Sequence, residues 1–418
     1  MNPKHVTSTA SRLQPISVHE LFRAAKRLFW WTFILLVLRK IWKAHQACSN
    51  VRTCWHTFAP ETFADSDHFR ALVETLTSNN TRRPPAILML NRHALSMTYN
   101  WLCNTAQLPG VHERVWMVTL DETARDELAF RWPRIRQFYW HSPCIQDRFM
   151  YGDATYHAFF AFRANFAAAL ADAGISFWMM QQDTFWRESL FDLNFDDDWD
   201  FDILFDRIGA TPTSERADWI NGAHFFVRGN ARSATLFKRV ATGLYWWYGP
   251  DVGLMNWACA QRNTTACKQM PHRYVNCWEW LTEGNRSEPP YLMQLDCETD
   301  SSSGKLEGMK KFGLYFLNEQ GVSDDAATCA KPEIFAPVHQ QNDPLSNKQL
   351  QNCNQTAVRL ARRAAKSGSI NHNFKLSWSR AHFKMYWQMA DYLISLPWIG
   401  PVVNRFMVLM GMYLMITL

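Results

Sequence analysis

The stretch "HAFFAFRANFAAALADAGISFWMM", residues 157–180, decides the fold class of this chain. Its first part, His157 to Gly174, is rich in Ala and Phe and predicts an amphipathic helix that ends at a glycine. Ile175 to Met180 then form a continuous apolar run, which predicts a buried strand. A helix that leads directly into such a strand indicates a strand–helix–strand unit with a mainly parallel sheet.

The same alternation extends on both sides of this unit. Upstream, the apolar runs "AILMLN" (86–91) and "RVWMVTLD" (114–121) predict strands, and "ALSMTYNWLCNTA" (94–106) has helical spacing between them. Downstream, "AHFFVR" (223–228) predicts a strand, followed by a helix around residues 231–247. The predicted fold class is therefore α/β, with a mixed, mainly parallel, Rossmann-type sheet that carries helices on both faces.

Composition divides the chain into six predicted segments, and a chain of 418 residues is long enough to bury a sizeable core. In order, they are a cytosolic tail (1–20), a signal-anchor helix (21–42), a stem (43–85), the α/β domain (86–325), a polar extension (326–378) and an apolar tail (379–418).

The predicted anchor is built around "LFWWTFILLVL" (28–38), which has two basic residues on each side. As a helix this run covers only about 16 Å, against a hydrocarbon core of about 30 Å. Residues 21–42 are long enough if the basic side chains extend toward the headgroups. An interfacial amphipathic helix and a buried core helix are the alternatives. No small-residue cleavage motif follows, which favours an anchor that is not removed.

The C-terminal end is also apolar, since Arg405 is the only charged residue between Tyr392 and Leu418. Pro397 and Pro401 interrupt its first half, which disfavours one straight span. A tail that dips into the membrane and a helix that packs on the core remain equally open.

Cysteines and glycosylation motifs indicate the secretory pathway. The ten cysteines contain no CxxC pair, so disulfides in an oxidising compartment or free buried thiols are expected rather than a metal site. Four N-x-[ST] triplets begin at Asn79, Asn263, Asn285 and Asn354. The net charge of +6 is scattered and forms no basic stripe, so no nucleic-acid partner is expected.

Polar residues follow several of the predicted strands. Ligands of parallel sheets bind at the carboxyl ends of the strands, which places Asp121, Asp183 and the residues around Asn221 at one rim. A cation that bridges a diphosphate needs few protein ligands, so one or two carboxylates suffice there. The acidic run at 196–202 lacks the glycine and closing Glu of a calcium loop and is interpreted as a solvated turn, with Asp202 as an exception.

Seven short motifs follow one another along the chain. They are "LNRHALSMTYNWLC" (90–103), "VTLDETA" (118–124), "QQDTFW" (181–186), "FDILFD" (201–206), "NGAHFFVR" (221–228), "PDVGLMN" (250–256) and "LDCETDSSSGKLEGMKKFGLY" (295–315). Their order resembles the nucleotide-diphospho-sugar transferase family of glycosyltransferases, which have the GT-A fold, from about Ala86 to Asn318.

The resemblance implies roles for individual residues. Asp183 matches the metal-binding Asp of the family's D-x-D motif, while Gln181 replaces the first Asp and keeps only a hydrogen bond to ribose. Asn221 and Asp251 match positions of catalytic contacts with the donor sugar or the acceptor. The remaining nucleotide-sugar contacts implied are Asn91, Asp121, Arg163 and Lys305. The family's C-terminal His has no counterpart in "LDCETDSSSGK".

These residues also have structural interpretations. An Asn or Asp at the edge of a strand or helix is more often structural, and Arg163 and Lys305 are alternatively surface cations. Trp186, His224 and His272 are interpreted as core residues rather than as sugar or metal contacts.

The implied function is transfer of a sugar from a nucleoside diphosphate to a glycan or protein acceptor, with retention of configuration and manganese on the diphosphate. The resemblance also implies a type II protein of the Golgi membrane, with the endoplasmic reticulum as the alternative. Gln181 favours a competing hypothesis, a degenerate member that binds sugar nucleotide or glycan without turnover. A weaker third hypothesis is a membrane-associated structural protein in which Asp183 has no role.

Overall fold

A computed structural model of the protein describes residues 18–78, 83–149, 152–197, 200–214, 217–260, 265–280, 288–295, 302–317 and 329. The chain divides into two units, residues 1–46 and 47–418. Apart from Cys329, the predicted polar extension and apolar tail lie outside the described residues, as do the asparagines of the four glycosylation motifs.

The first unit is described from Val18 onward and is helical throughout. It contains most of a helix that runs from Val18 to Cys54, and its apolar side chains between Leu28 and Trp42 are largely exposed. Within the described residues, no helix combines the length and the apolar character that crossing a membrane requires.

Ten helices are described. They are α1 (Val18–Cys54), α2 (Pro60–Asp65), α3 (Asp67–Ser78), α4 (Leu95–Thr105), α5 (Val111–Arg114), α6 (Glu122–Arg131), α7 (Ala154–Asp172), α8 (Ala231–Trp246), α9 (Asp251–Ala260) and α10 (Ser302–Lys311).

Ten strands are described with them. They are β1 (Ala86–Leu90), β2 (Val115–Thr119), β3 (Arg136–Tyr139), β4 (Phe177–Met180), β5 (Thr184–Trp186), β6 (Ile203–Arg207), β7 (Ile220–Val227), β8 (Cys267–Gln269), β9 (Val275–Cys277) and β10 (Leu292–Gln294).

Seven strands form one sheet in the order β3-β2-β1-β4-β7-β6-β8. Four of its six pairings are parallel, and only β7 runs antiparallel to both of its neighbours, β4 and β6. Three strands that follow β4 in the sequence form a second, small sheet in the order β5-β10-β9. The mixed, mainly parallel sheet predicted from the sequence is confirmed.

Helices cover both faces of the large sheet. Side chains of β1 alternate between two buried clusters, with Ile87 and Met89 in one and Leu88 and Leu90 in the other. The first cluster includes α7 and α8, and the second includes Trp101 and Leu102 of α4. Strands buried on both faces explain why the sequence reads as continuous apolar runs.

The helix predicted over 157–174 is α7, and it is not amphipathic. Every residue from His157 to Ala171 is buried, since α2, α8, α9 and the sheet all pack around it. A helix that is apolar on all sides belongs in the interior of a domain. Its predicted end is confirmed, because the chain leaves the helix through Gly174 with φ at 77°.

The predicted stem, residues 43–85, contributes α2 and α3 to the second unit. Phe63 and Phe69 are buried in the larger cluster, where the Phe63 ring lies 5.5 Å from that of Phe166 and 4.6 Å from that of Trp140. These helices therefore pack on the sheet domain and help to cover α7.

The acidic run is not a solvated turn throughout. Asp196 is buried and accepts a hydrogen bond from Arg114 at 3.2 Å. It also forms an ion pair with Arg83 at 3.5 Å. Asp202 is buried and binds Arg232 and the backbone N–H of Ala266, both at 2.8 Å. The prediction failed for Asp196 because its partners lie about 80 and 110 residues earlier in the chain, where local pattern gives no sign of them.

Both expectations for the cysteines are met. Cys48 is free and buried, and burial raises the pKa of its thiol to about 11. Cys277 is also buried. Cys297 and Cys353 lie outside the described residues. Disulfides join Cys54 to Cys144, Cys103 to Cys329 and Cys259 to Cys267.

Gly229 is expected to tolerate no side chain. A Cβ there would lie 2.2 Å from the carbonyl carbon of Gly174, so the turn after β7 and the turn before β4 would have to separate. Gly229→Ala should lower the free energy of unfolding by about 2–3 kcal/mol, measured by denaturant titration. Gly308→Ala, in α10 with its nearest neighbour at 3.9 Å, is the control and should be neutral or slightly stabilising. Equal stability of both variants would contradict this packing.

Acid is expected to destabilise the protein through His157. Burial lowers the pKa of His157 from 6.5 to about 4, although its Nε2 N–H donates to the Leu244 carbonyl at 2.9 Å. Between pH 6.5 and 4, His157 therefore binds a proton in the unfolded chain but not in the folded chain. The associated stability is present above pH 6.5 and is lost as the pH falls to 4, about 3 kcal/mol in total. His157→Gln should flatten the curve of unfolding free energy against pH, whereas the exposed His68→Gln should not; parallel curves for all three proteins would refute the assignment.

Candidate functional site

The carboxyl ends of the parallel strands meet at one rim of the large sheet. β1, β2, β4 and β6 run in the same direction, and the start of β7 extends past the end of β4 because these two strands are antiparallel. In the sheet order, β1 lies between β2 and β4, which is the switch point where ligands of such sheets bind. Most of the predicted site residues lie at this rim.

Asp183 and Lys305 form an ion pair at the rim. Asp183 follows β4 and is 9% exposed, and its Oδ2 lies 2.6 Å from Nζ of Lys305 in the first turns of α10. Asp183 Oδ1 is buried and has no hydrogen-bond partner among the described residues. The structure thus joins two residues that the sequence separates by 122 positions.

Three amide side chains form a chain beside this ion pair. Gln294 lies at the end of β10 and donates from Nε2 to Gln181 Oε1 at 2.9 Å. Its own Oε1 accepts from Asn221 Nδ2 at 2.5 Å. Because the next residue, Leu295, donates from its backbone to the Asp183 carbonyl at 2.8 Å, the amide chain and the ion pair share one rim.

The amide chain ends on a fully buried carboxylate, Asp206 of β6. Asp206 accepts from Asn221 Nδ2 at 3.2 Å and from the backbone N–H groups of Gly222 and His224 at 2.7 and 3.0 Å. The His224 ring lies 3.6 Å from the same carboxylate. Asp206 therefore orients Asn221 and, through it, Gln294.

Asn91 and Asp121 meet at the same rim but are occupied by the backbone. Asn91 follows β1 and donates to the carbonyls of Ile145 and Asp147 at 3.1 and 2.9 Å. Asp121 follows β2 and accepts from the N–H groups of Ala124 and Arg92 at 2.8 and 2.7 Å, which caps α6. Both are buried, and their predicted contacts with the nucleotide sugar stay predictions.

Arg163 and Asp251 pair with each other away from solvent. Arg163 on α7 donates from Nε to Asp251 Oδ2 at 3.0 Å, and a second contact runs from its Nη2 to the same oxygen. Asp251, the first residue of α9, is completely buried, and burial raises its pKa even though Arg163 acts in the opposite direction. This burial favours a structural ion pair over the donor-sugar and catalytic contacts predicted for the two residues.

The described donors around Asp183 do not fit a divalent cation. Within the described residues, no three His, Cys, Asp or Glu side chains are placed to hold a metal. One oxygen of Asp183 already binds the Lys305 ammonium, and the Gln181 amide oxygen binds Gln294. Of the oxygens of Asp183 and Gln181, Asp183 Oδ1 remains as a ligand, and a cation there would lie within a few ångströms of a positive charge, which costs several kcal/mol at an effective dielectric constant of about 20.

The other rim residues were only partly predictable from the sequence. Asp206 was visible as the polar end of the apolar run "ILFD", the same signal that identified Asp183, but Gln294 ends a run too short to stand out. His224 and His272 are buried, and His272 Nε2 lies 3.0 Å from the Ile208 carbonyl, so both are core residues as interpreted. Trp186 is fully buried, which confirms its interpretation.

Comparison with known families supports the resemblance read from the motifs. The family described as nucleotide-diphospho-sugar transferase matches residues 110–309, which include β2, β4, β6, β7 and the site residues between Asp121 and Lys305. The family that matches, and its enzyme class, glycosyltransferase, are those that the sequence motifs resemble. No curated protein matches the chain.

Several solved glycosyltransferases resemble the chain weakly. The apo form of WbbM, a bifunctional glycosyltransferase, is 9% identical over 53% of this chain and 47% of its own, with a TM-score of 0.37, so this chain spans about half of its length. Mouse xyloside xylosyltransferase 1, also in apo form, is 11% identical over 51% of this chain and 98% of its own, with a TM-score of 0.35. The mannosyltransferase PcManGT from Pyrobaculum calidifontis, in complex with GDP-Man and Mn2+, is 12% identical over 88% of this chain and 98% of its own, with a TM-score of 0.33. At such scores these likenesses carry no argument about this chain.

Proposed function

We propose that this chain, whose residues 110–309 belong to the nucleotide-diphospho-sugar transferase family, moves a sugar from a nucleoside diphosphate to a hydroxyl group of a glycan or protein acceptor. The observation that carries the proposal is the convergence of Asp183, Lys305, Gln181 and Asn221 at the carboxyl ends of the strands. These residues come from three separate stretches of the chain, and each stretch is one of the seven sequence motifs.

The rim offers two kinds of contact to such a donor. The Lys305 ammonium is a point charge suited to phosphate oxygens, and its ion pair with Asp183 holds it at the rim. The amides of Gln181, Gln294 and Asn221 both donate and accept, which suits the hydroxyl groups of ribose or of the donor sugar. The rim therefore separates a charged subsite for the diphosphate from a neutral subsite for hydroxyl groups.

In the transfer, the bond between the anomeric carbon and the phosphate oxygen breaks, and its electron pair leaves with the diphosphate. A bond forms from the acceptor hydroxyl oxygen to that carbon, and the hydroxyl proton passes to the departing diphosphate. Lys305 opposes the negative charge that accumulates on the leaving oxygen, which is the electrostatic contribution expected of such a group.

Three finer parts of the proposal come from the resemblance. Retention of configuration is tested by measuring the anomeric configuration of the product. A Golgi location, with the endoplasmic reticulum as the alternative, agrees with the disulfides and is tested by glycosidase sensitivity and imaging of the full chain. The third part, manganese, rests on the resemblance alone, and the described donors at Asp183 do not favour it.

The proposal is tested with the purified full chain and a panel of nucleoside-diphosphate sugars. Release of nucleoside diphosphate that depends on both the donor identity and an added glycan acceptor is the expected result. A degenerate binding protein is the second candidate, since the Gln181 amide stands where a second carboxylate would add charge. Binding of a nucleoside diphosphate without turnover of any donor would favour that candidate and refute the transferase.

A further inference from the structure

We infer that the Lys305 ammonium, rather than a divalent cation, links Asp183 to the diphosphate of the donor, so that the transfer needs no metal. This inference rests on the function proposed above and concerns the same site. Its starting point is the position of Lys305 Nζ, 2.6 Å from Asp183 Oδ2. A cation on Asp183 Oδ2 would have to occupy the same place, and a cation on Asp183 Oδ1 would lie within a few ångströms of the ammonium.

The ammonium has the chemistry that this place requires. Its three N–H donors allow it to bind a carboxylate oxygen and phosphate oxygens at the same time. The Asp183 side chain is 12% exposed and that of Lys305 is 23% exposed, so Lys305 is the more accessible partner of the ion pair. Asp183 then acts as a positioning residue, which holds the ammonium toward the ligand.

The charges around the ion pair favour the same conclusion. Asp183 and Lys305 together are neutral, and Gln181, Gln294 and Asn221 add no charge. The Asp206 carboxylate at the end of the amide chain is fully buried and is bound by Asn221 and by two backbone N–H groups. A divalent cation would gain little from this neutral set and would be repelled by the ammonium. An anionic diphosphate, in contrast, is attracted by Lys305 without any further component.

The first test measures binding of UDP and GDP to the full chain by calorimetry, once in EDTA and once with MnCl2. Wild type should bind one of the two with the same affinity, within about twofold, in both buffers. Lys305→Met should weaken this binding roughly tenfold or more, while Lys310→Met, on the same helix and paired with Glu307, should not. Binding that requires manganese would overturn the inference, and so would the absence of binding in both buffers.

The second test restores the missing carboxylate. Gln181→Asp should make nucleoside-diphosphate binding roughly tenfold tighter in manganese than in EDTA, because two carboxylates then face one cation. Gln182→Asp is the control, since the Gln182 side chain points to the Met89 carbonyl at 3.3 Å and not to Gln294, and it should gain no such dependence. If Gln181→Asp also gains no dependence on manganese, the inference that Lys305 Nζ occupies the place of a divalent cation is wrong.

Turnover of the donor panel in EDTA separates this inference from the proposed function. Turnover in EDTA supports both. Turnover that appears only with manganese leaves the transferase standing and refutes the metal-free site. Binding that is independent of metal, without turnover of any donor, leaves the site standing and refutes the transferase.

Discussion

Asp251→Ala is expected to lower the free energy of unfolding by about 3–5 kcal/mol, because it leaves the Arg163 guanidinium buried without its partner. Arg163 is 3% exposed and Asp251 is not exposed at all, so water cannot replace the lost carboxylate. Nε and Nη2 of Arg163 both donate to the same oxygen of Asp251. Denaturant titration of both proteins measures the difference.

The double variant Arg163→Met with Asp251→Leu separates the cost of an unpaired charge from the loss of the ion pair itself. Replacing both partners with apolar residues of similar size removes the stranded charge, so the double variant should be more stable than Asp251→Ala. Lys238→Ala breaks the exposed pair with Asp172 and, as a control, should cost at most about 1 kcal/mol.

This experiment also decides between two interpretations of Asp251. The sequence predicts a catalytic contact, whereas the structure places the carboxylate inside the protein, where burial raises its pKa. A variant of Asp251 that folds with full stability and loses only turnover would restore the catalytic interpretation. A variant that loses stability and recovers it in the double substitution supports the structural ion pair.

The order of strands and helices could be predicted because each signal is local. Apolar runs such as "AILML" and "FWMM" identify β1 and β4 wherever the rest of the chain lies. The environment of a helix is not a local property, and this is why α7 was expected to have an exposed face. Its covering by α2 and α8 depends on residues about 100 positions earlier and about 75 positions later in the chain.

The candidate site shows the same division. Asp183 was predictable because a carboxylate that ends a buried strand has a known place in a parallel sheet. The pairing of Asp183 with Lys305 depends on where α10 lies, and the pairing of Gln181 with Gln294 depends on where the small sheet lies. Neither position is a local property of the sequence around Asp183. Asp121 was placed at the rim correctly, and Asn91 lies there with it, but their capping of the following turns uses the same atoms that a ligand would need.

Asp183→Ala is expected to reduce turnover of the preferred donor about 100-fold or more, with little effect on stability. The reason is positional: without the carboxylate, Lys305 loses the contact that holds its ammonium at the rim. Asp192→Ala removes an exposed carboxylate of the same domain and should leave turnover unchanged. Steady-state release of nucleoside diphosphate gives kcat and KM for all variants.

Asp183→Asn distinguishes the charge of this side chain from its shape. An amide oxygen still accepts a hydrogen bond from the ammonium, but a bond to a charged acceptor is roughly twice as strong. Asp183→Asn should therefore fall between wild type and Asp183→Ala in turnover, whereas a side chain that acted only by filling space would leave the Asn variant at the wild-type rate. Unchanged turnover in Asp183→Ala would remove Asp183 from the site altogether, and with it the reason to place the diphosphate beside Lys305.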